Sequence, residues 1–131
     1  LVKEEYDLII NLRFDLQFLK PITKLNIQYN NFNFLWKEPK KKWDKYQKTS
    51  DLLFIFPSYY INIFIQSLYN TIDYKSSGSA HWSYPIISES ITKLNINFII
   101  EGYHHSNVRY APGYLNILGG TNKIIDINRN L

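Results

Sequence analysis

Apolar residues in this chain gather in short runs of differing period, separated by polar and turn-forming stretches. Tyr6 to Phe14 holds Leu8, Ile9, Ile10 and Leu12 almost without interruption, bracketed by Asp7 and Arg13. A run this dense predicts a strand buried on both faces. Asp15 follows, and Lys20-Pro21 predicts a turn out of the segment. From Leu25 to Trp36 the apolar positions alternate, but the phase slips at Asn30-Asn31. That slip predicts two short strands around an Asn-Asn turn. Asp51 to Phe56 is a second dense run, ended by Pro57. Ser58 is placed to cap a helix reaching to about Asp73, with Ile61, Ile65, Leu68 and Ile72 at helical spacing. A Ser/Gly loop over 75–80 leads to a helix over Ser79 to Lys93 interrupted by Pro85, and then to a third strand over Asn95 to Glu101. A polar loop over 102–113, a short apolar segment over Tyr114 to Leu118 and a weakly structured tail over 119–131 complete the chain.

Strand-like and helical stretches alternate, so the expected class is α/β, with α+β as the alternative, built on a mixed sheet. A chain of 131 residues allows one domain at most. It opens at Leu1 and runs directly into a strand-like segment, so the expectation is a single partial domain lacking an N-terminal nucleotide-binding half. The most apolar stretch, Leu52 to Ile65, is interrupted by Pro57, Ser58 and Asn62 and falls short of the roughly 20 apolar residues of a membrane helix. Lys3, Glu4, Glu5 and Asp7 crowd the start where a signal peptide would be apolar. The expected location is cytoplasmic.

Composition narrows the chemistry. The chain has no Cys, which removes disulfide frameworks, thiol catalysis and Cys-based metal sites. Hydrophobic content of 45% with 20% charged residues excludes wholesale disorder. Ile, Asn, Lys, Tyr and Phe make up about half of the residues, a skew toward AT-rich codons that makes any one surface Lys or Asn weak evidence of function. The formal charge of +4 is local: the lysines of a 37–50 basic loop, less Glu38 and Asp44, account for all of it. That loop interleaves Trp36, Trp43 and Tyr46 with lysine, which suits stacking on bases and attraction to phosphate, and suits an ordinary solvated loop equally.

The sharpest chemical feature is Asp7-Leu-Ile-Ile-Asn-Leu-Arg13-Phe14-Asp15. A strand here delivers a guanidinium and a carboxylate to its C-terminal end, where open α/β sheets bind their ligands. A carboxylate in that place can hold a divalent cation, and Arg13 can neutralise phosphate. The alternative is an Arg–Asp pair that merely closes the strand end. The run Tyr-Asp-Leu-Ile-Ile-x-x-Arg-Phe-Asp-Leu-x-Phe, followed by Lys-Pro-Ile, resembles a segment of GT-A-type glycosyltransferase-like proteins of capsular-polysaccharide gene clusters and large DNA viruses. Ser50-Asp51-Leu-Leu-Phe-Ile-Phe-Pro57 and the Ile-Asn-Phe-Ile-Ile-Glu-Gly strand at 96–102 are also similar, so the resemblance spans about residues 5 to 118. It implies transfer of a sugar from a nucleotide-sugar donor to a glycan or protein acceptor. The chain carries Arg-x-Asp, at Arg13 and Asp15, where better-known relatives carry Asp-x-Asp. By the resemblance Asp15 contacts a metal, Mn or Mg, and the donor diphosphate, and His104 or His105 completes the metal site.

Other candidates are single residues in suggestive places. Asp51, at the head of a dense apolar run, suits a general base, and suits a turn residue bonding backbone N–H groups. Glu101 ends the third strand and is the second catalytic candidate, or only the strand's exit into water. His81 and Trp82 could stack on a sugar or base, or pack in the core. Ser106, Asn107 and Arg109 share one loop suited to sugar or phosphate recognition and to any solvated loop. No P-loop, Gly-x-Gly-x-x-Gly or Gly-x-Ser-x-Gly motif is present. By the resemblance a glycosyltransferase fragment is the leading reading, with nucleic acid disfavoured as a partner. A non-catalytic carbohydrate- or nucleic-acid-binding domain and a viral or cell-surface structural protein remain as alternatives. An enzyme requires Asp15 and at least one of Asp51, Glu101, His104 or His105 on one cleft.

Overall fold

The computed structural model describes residues 6–39, 47–70, 83–91, 95–103, 110–111 and 115–117. Seven strands are present: β1 (Leu8–Leu12), β2 (Leu16–Phe18), β3 (Phe32–Phe34), β4 (Leu53–Pro57), β5 (Ile96–Phe98), β6 (Tyr110–Ala111) and β7 (Leu115–Ile117). Two helices, α1 (Ile61–Asn70) and α2 (Ser83–Ser90), lie between β4 and β5 in the chain. Four strands form a mixed sheet in the order β1-β4-β3-β5. β1 and β3 flank β4 antiparallel, and β5 joins β3 in parallel. This is the mixed sheet with helices expected of an α/β or α+β chain. A second sheet, in the order β2-β7-β6, is antiparallel throughout.

Alternation along the strands sorts the core into two layers. Phe32, Phe34, Phe54 and Phe56 project to one face and meet Phe64 of α1 and Ile87 of α2, with Ile91 just beyond it. Phe32 and Phe56 stack at 4.5 Å between ring centroids with 6° between planes, and Phe64 tilts against both. On the other face Leu35, Leu53, Ile55 and Ile99 pack with Leu25, and Leu16, Phe18, Ile22 and Ile27 pack against that cluster. The segment between β2 and β3 thus does on one face what the helices do on the other.

Several expectations are corrected. β1 is an edge strand, not one buried on both faces: Leu8 and Ile9 are half-buried, and Ile10, Asn11 and Leu12 are exposed. The expected strand before Asn30-Asn31 is a turn, closed by the Asn31 N–H donating to the Gln28 carbonyl at 3.0 Å. Asn33 takes over there: its fully buried side chain accepts from the Gln28 N–H and donates to the Gln28 and Ile55 carbonyls, each at 2.9 Å. Those bonds let the 26–31 segment leave the ladder with its polar groups satisfied. Pro57 is the N-cap of a 3-10 turn over Ser58–Tyr60 that precedes α1, so Ser58 lies inside that turn and not at the cap position. The buried face of α1 centres on Phe64 and Ser67, whereas Ile65 is exposed. Pro85 does not interrupt α2. It lies in the first turn, whose N–H groups have no helical partner to lose.

Candidate functional site

The sheet's polarity gathers the candidates. Because β1 and β3 both run antiparallel to β4, and β5 runs with β3, the C-terminal ends of β1, β3 and β5 lie on one rim. The N-terminal end of β4 lies on the same rim. Arg13 and Asp15 follow β1 there, Asp51 precedes β4, Trp36 and Lys37 follow β3, and Glu101 follows β5. In open α/β sheets ligands bind outside the carboxyl ends of the strands, and here three of the four strands present those ends.

Arg13 is placed by the ladder itself. Its N–H donates to the Leu52 carbonyl at 3.1 Å, carrying the β1–β4 pairing one position past the strand. The chain then turns, with the Leu16 N–H donating to the Arg13 carbonyl at 3.4 Å, and Asp15 lies inside that turn. The Arg13 guanidinium closes on the Asp15 carboxylate through two bonds, Nε to Oδ1 at 2.9 Å and Nη2 to Oδ2 at 2.6 Å. This is the bidentate fork of strong Arg–carboxylate pairs. The Arg13 side chain is 44% exposed and that of Asp15 21%. Hydrogen bonding to Asp15 raises the Arg13 pKa above its ordinary value; partial burial opposes this, and the charges of Asp15 and Asp51 add to it. Asp51 therefore lies within electrostatic reach of Arg13.

Asp51 is half-buried, with its Oδ1 atom out of contact with solvent. Its neighbour Ser50 performs the turn role that sequence assigned to Asp51: the Ser50 Oγ accepts from the Leu52 N–H at 3.2 Å. Ser50 is fully buried, and its N–H donates to the Trp36 carbonyl at 3.1 Å. Glu101 is exposed and lies beyond β3 from β4. Two inter-strand spacings separate those ends, on the order of 10 Å, so Glu101 shares the rim with Asp51 without closing on it. Gly102 follows with φ of 85°, a left-handed turn that suits glycine, and brings Tyr103 into a bridge with Lys37.

The base of the basic loop is packed rather than solvated. Lys37 bridges to Thr49, the Glu38 N–H donates to the Lys48 carbonyl at 3.0 Å, and Lys37 Nζ sits 4.8 Å from the centre of the Phe98 ring. Trp36 is fully buried, so it forms core and not a stacking surface for bases. Trp43 and Tyr46 lie outside the described residues, as do His81, Trp82, His104, His105, Ser106, Asn107, Arg109 and the 119–131 tail. Among the described residues no group of three or more His, Asp or Glu side chains is placed to hold a metal ion. No described helix is long and apolar enough to cross a membrane.

Sequence reasoning missed Thr49, Ser50 and Lys37 as parts of the rim. The signal was available for the first two: polar residues that immediately precede a fully apolar strand are drawn into its pairing. Comparison of the chain with family models, with curated proteins and with solved structures finds no match.

Proposed function

We propose that this chain is part of a nucleotide-sugar-dependent glycosyltransferase whose donor diphosphate is met at the sheet rim by Arg13. The observation that supports this reading most is the Arg13–Asp15 fork where β1 ends, with Asp51 within its electrostatic reach where β4 begins. A pre-oriented fork with part of its surface open to solvent suits a diphosphate, which it can contact in a planar, bidentate manner. Asp15 holds that fork in place. Asp51 is the base: it takes the proton of the acceptor hydroxyl as the oxygen attacks the anomeric carbon and the bond to the nucleoside diphosphate breaks. The leaving diphosphate carries away the electron pair, and Arg13 meets its charge. Glu101, farther along the rim, is assigned to the acceptor sugar. A divalent cation, Mn or Mg, would be held by Asp15, whose carboxylate supplies the hard oxygens such ions take, with His104 the further candidate, and a bound ion would add charge stabilisation at the diphosphate. Arg13 occupies both Asp15 oxygens, so a cation and the guanidinium would compete for that carboxylate.

The test is donor consumption by the intact protein across a set of sugar nucleotides, repeated with Arg13→Lys and Asp15→Asn. Arg13→Lys should lower kcat/KM by at least about tenfold, because a point charge cannot reproduce the fork. Asp15→Asn should nearly abolish transfer with the fold unchanged. Wild-type turnover in both variants, or no donor consumed by the unaltered protein, sinks the reading.

A further inference from the structure

β1 carries an open edge whose sequence is complementary to itself. The Ser58 N–H donates to the Asp7 carbonyl and the Arg13 N–H to the Leu52 carbonyl, so Asp7 and Arg13 turn their backbone groups toward β4. In an antiparallel pair this orientation alternates, so Ile9 and Asn11 also face β4, and Leu8, Ile10 and Leu12 turn their N–H and C=O groups outward. Among the described residues no strand pairs with that outer edge. None of the five β1 residues is charged, β1 holds no proline, and Ile10 and Leu12 are 42% and 40% exposed. Native sheets usually protect such an edge with a charge, a bulge or a cover.

We propose that the outer edge of β1 pairs with β1 of a second copy of this chain, antiparallel about a two-fold axis at Ile10. Two independent features fit this register. Ile10 opposite Ile10 makes Leu8 face Leu12, and these are the residues whose backbone groups point outward, so the two strands exchange a full set of ladder bonds. The next pair outward is Asp7 opposite Arg13, formed twice by the symmetry, and opposite charges directly across a ladder are stabilising. A shift of the register by two residues loses both charge pairs and sets Ile10 against Leu8 or Leu12. The product is a continuous eight-stranded sheet in which Asp7 of the second copy reaches the Arg13–Asp15 pair. The proposal stands on the edge alone and does not depend on the glycosyltransferase reading.

The test is sedimentation of the 131-residue chain from about 1 to about 200 µM, with three variants checked for native circular dichroism. The unaltered chain should show a reversible monomer–dimer equilibrium. Asp7→Lys places two cations across from Arg13 and should raise the dimer dissociation constant about tenfold or more. Ile10→Pro removes an outward N–H that β4 does not use and should leave monomer. The chain has no Cys, so Ile10→Cys reports one contact: its Cα atoms would face each other at about 5.5 Å, inside the disulfide range of about 4.4–6.8 Å. Mild oxidation should therefore link the dimer through Ile10→Cys but not through Asn11→Cys, whose two copies lie about 7 Å apart along the strands. A monomer at every concentration overturns the proposal. So does a dimer that Asp7→Lys leaves unchanged and Ile10→Cys fails to link, which would place the contact elsewhere. If Ile10→Pro does not fold, the Asp7→Lys and Ile10→Cys results decide.

Discussion

β1 and β4 lie side by side, pair at five positions, and read alike in sequence as dense apolar runs. Every residue of β4 is buried, whereas three of the five in β1 are exposed. The difference comes from the second hydrogen-bonding edge of each strand. β3 occupies that edge of β4 and brings the Phe32–Phe56 stack and the Asn33 network with it. The density of an apolar run therefore reports that a strand forms and has apolar neighbours. Whether it is central or at the edge is decided by residues far away in the chain. The same contrast divides the polar groups: those paired with β4 from the β3 side are fully buried, and the Arg13–Asp15 pair on the β1 side stays open to solvent.

Truncation should separate the two strands most sharply. Phe56→Ala removes one ring of the stack and should cost about 3–5 kcal/mol, whereas Ile10→Ala, measured in dilute solution, should cost less than about 1 kcal/mol. Urea unfolding of both variants checks this, and equal losses would mean that β1 is covered. Asn33→Leu should cost about 1–3 kcal/mol, because it leaves the part-buried Gln28 N–H without its acceptor and removes the amide's bonds to the Gln28 and Ile55 carbonyls. Hydrogen exchange at the Gln28 amide should accelerate with it. Asp15→Asn should cost only about 0–1 kcal/mol, as expected of a solvent-exposed ion pair, even though the same change is expected to stop turnover.

The smallest effect is on pH dependence. Burial first, then the neighbouring Tyr59, raises the Tyr60 pKa above the usual tyrosine value. A raised pKa means that the folded state holds the proton more tightly than the unfolded chain. Its stabilising effect is therefore complete below about pH 10 and is lost as pH climbs through the folded-state value. Tyr60→Phe should flatten that alkaline limb of the stability curve in thermal melts without altering the neutral plateau.

The parts of the fold legible in the sequence are those written in local period. β4, β3 and β5 announce themselves through Leu-Phe-Ile-Phe, Phe-Asn-Phe and Ile-Asn-Phe, and α1 through its apolar spacing. The face of α1 was not legible. Ile65 fits the helical repeat as well as Phe64 does, and only the Phe layer beneath decides which is buried. The β2–β7 pairing joins residues separated by most of the chain, and neither three-residue strand has a pattern of its own. Asn33 stands between two phenylalanines, but its partners are long-range or hidden: Ile55 lies in β4, Asn97 in β5, and Gln28 in a turn whose sequence reads as a strand. Of the site, the Arg13–Asp15 pair was readable because the two residues are adjacent in space through their own turn. Asp51 beside Arg13 follows from the Arg13–Leu52 register, a long-range fact.

On the proposed reading Arg13, held by Asp15 beside Asp51, receives a nucleoside diphosphate. Two-dimensional NMR of the chain titrated with UDP, with and without Mg²⁺, reads this directly. Saturable shifts of the Arg13 side-chain Nε–H and of the Asp15 and Asp51 amides are expected, with the amide shifts lost in Arg13→Lys. An unchanged Arg13 signal, or shifts confined to residues 37–48, would contradict it.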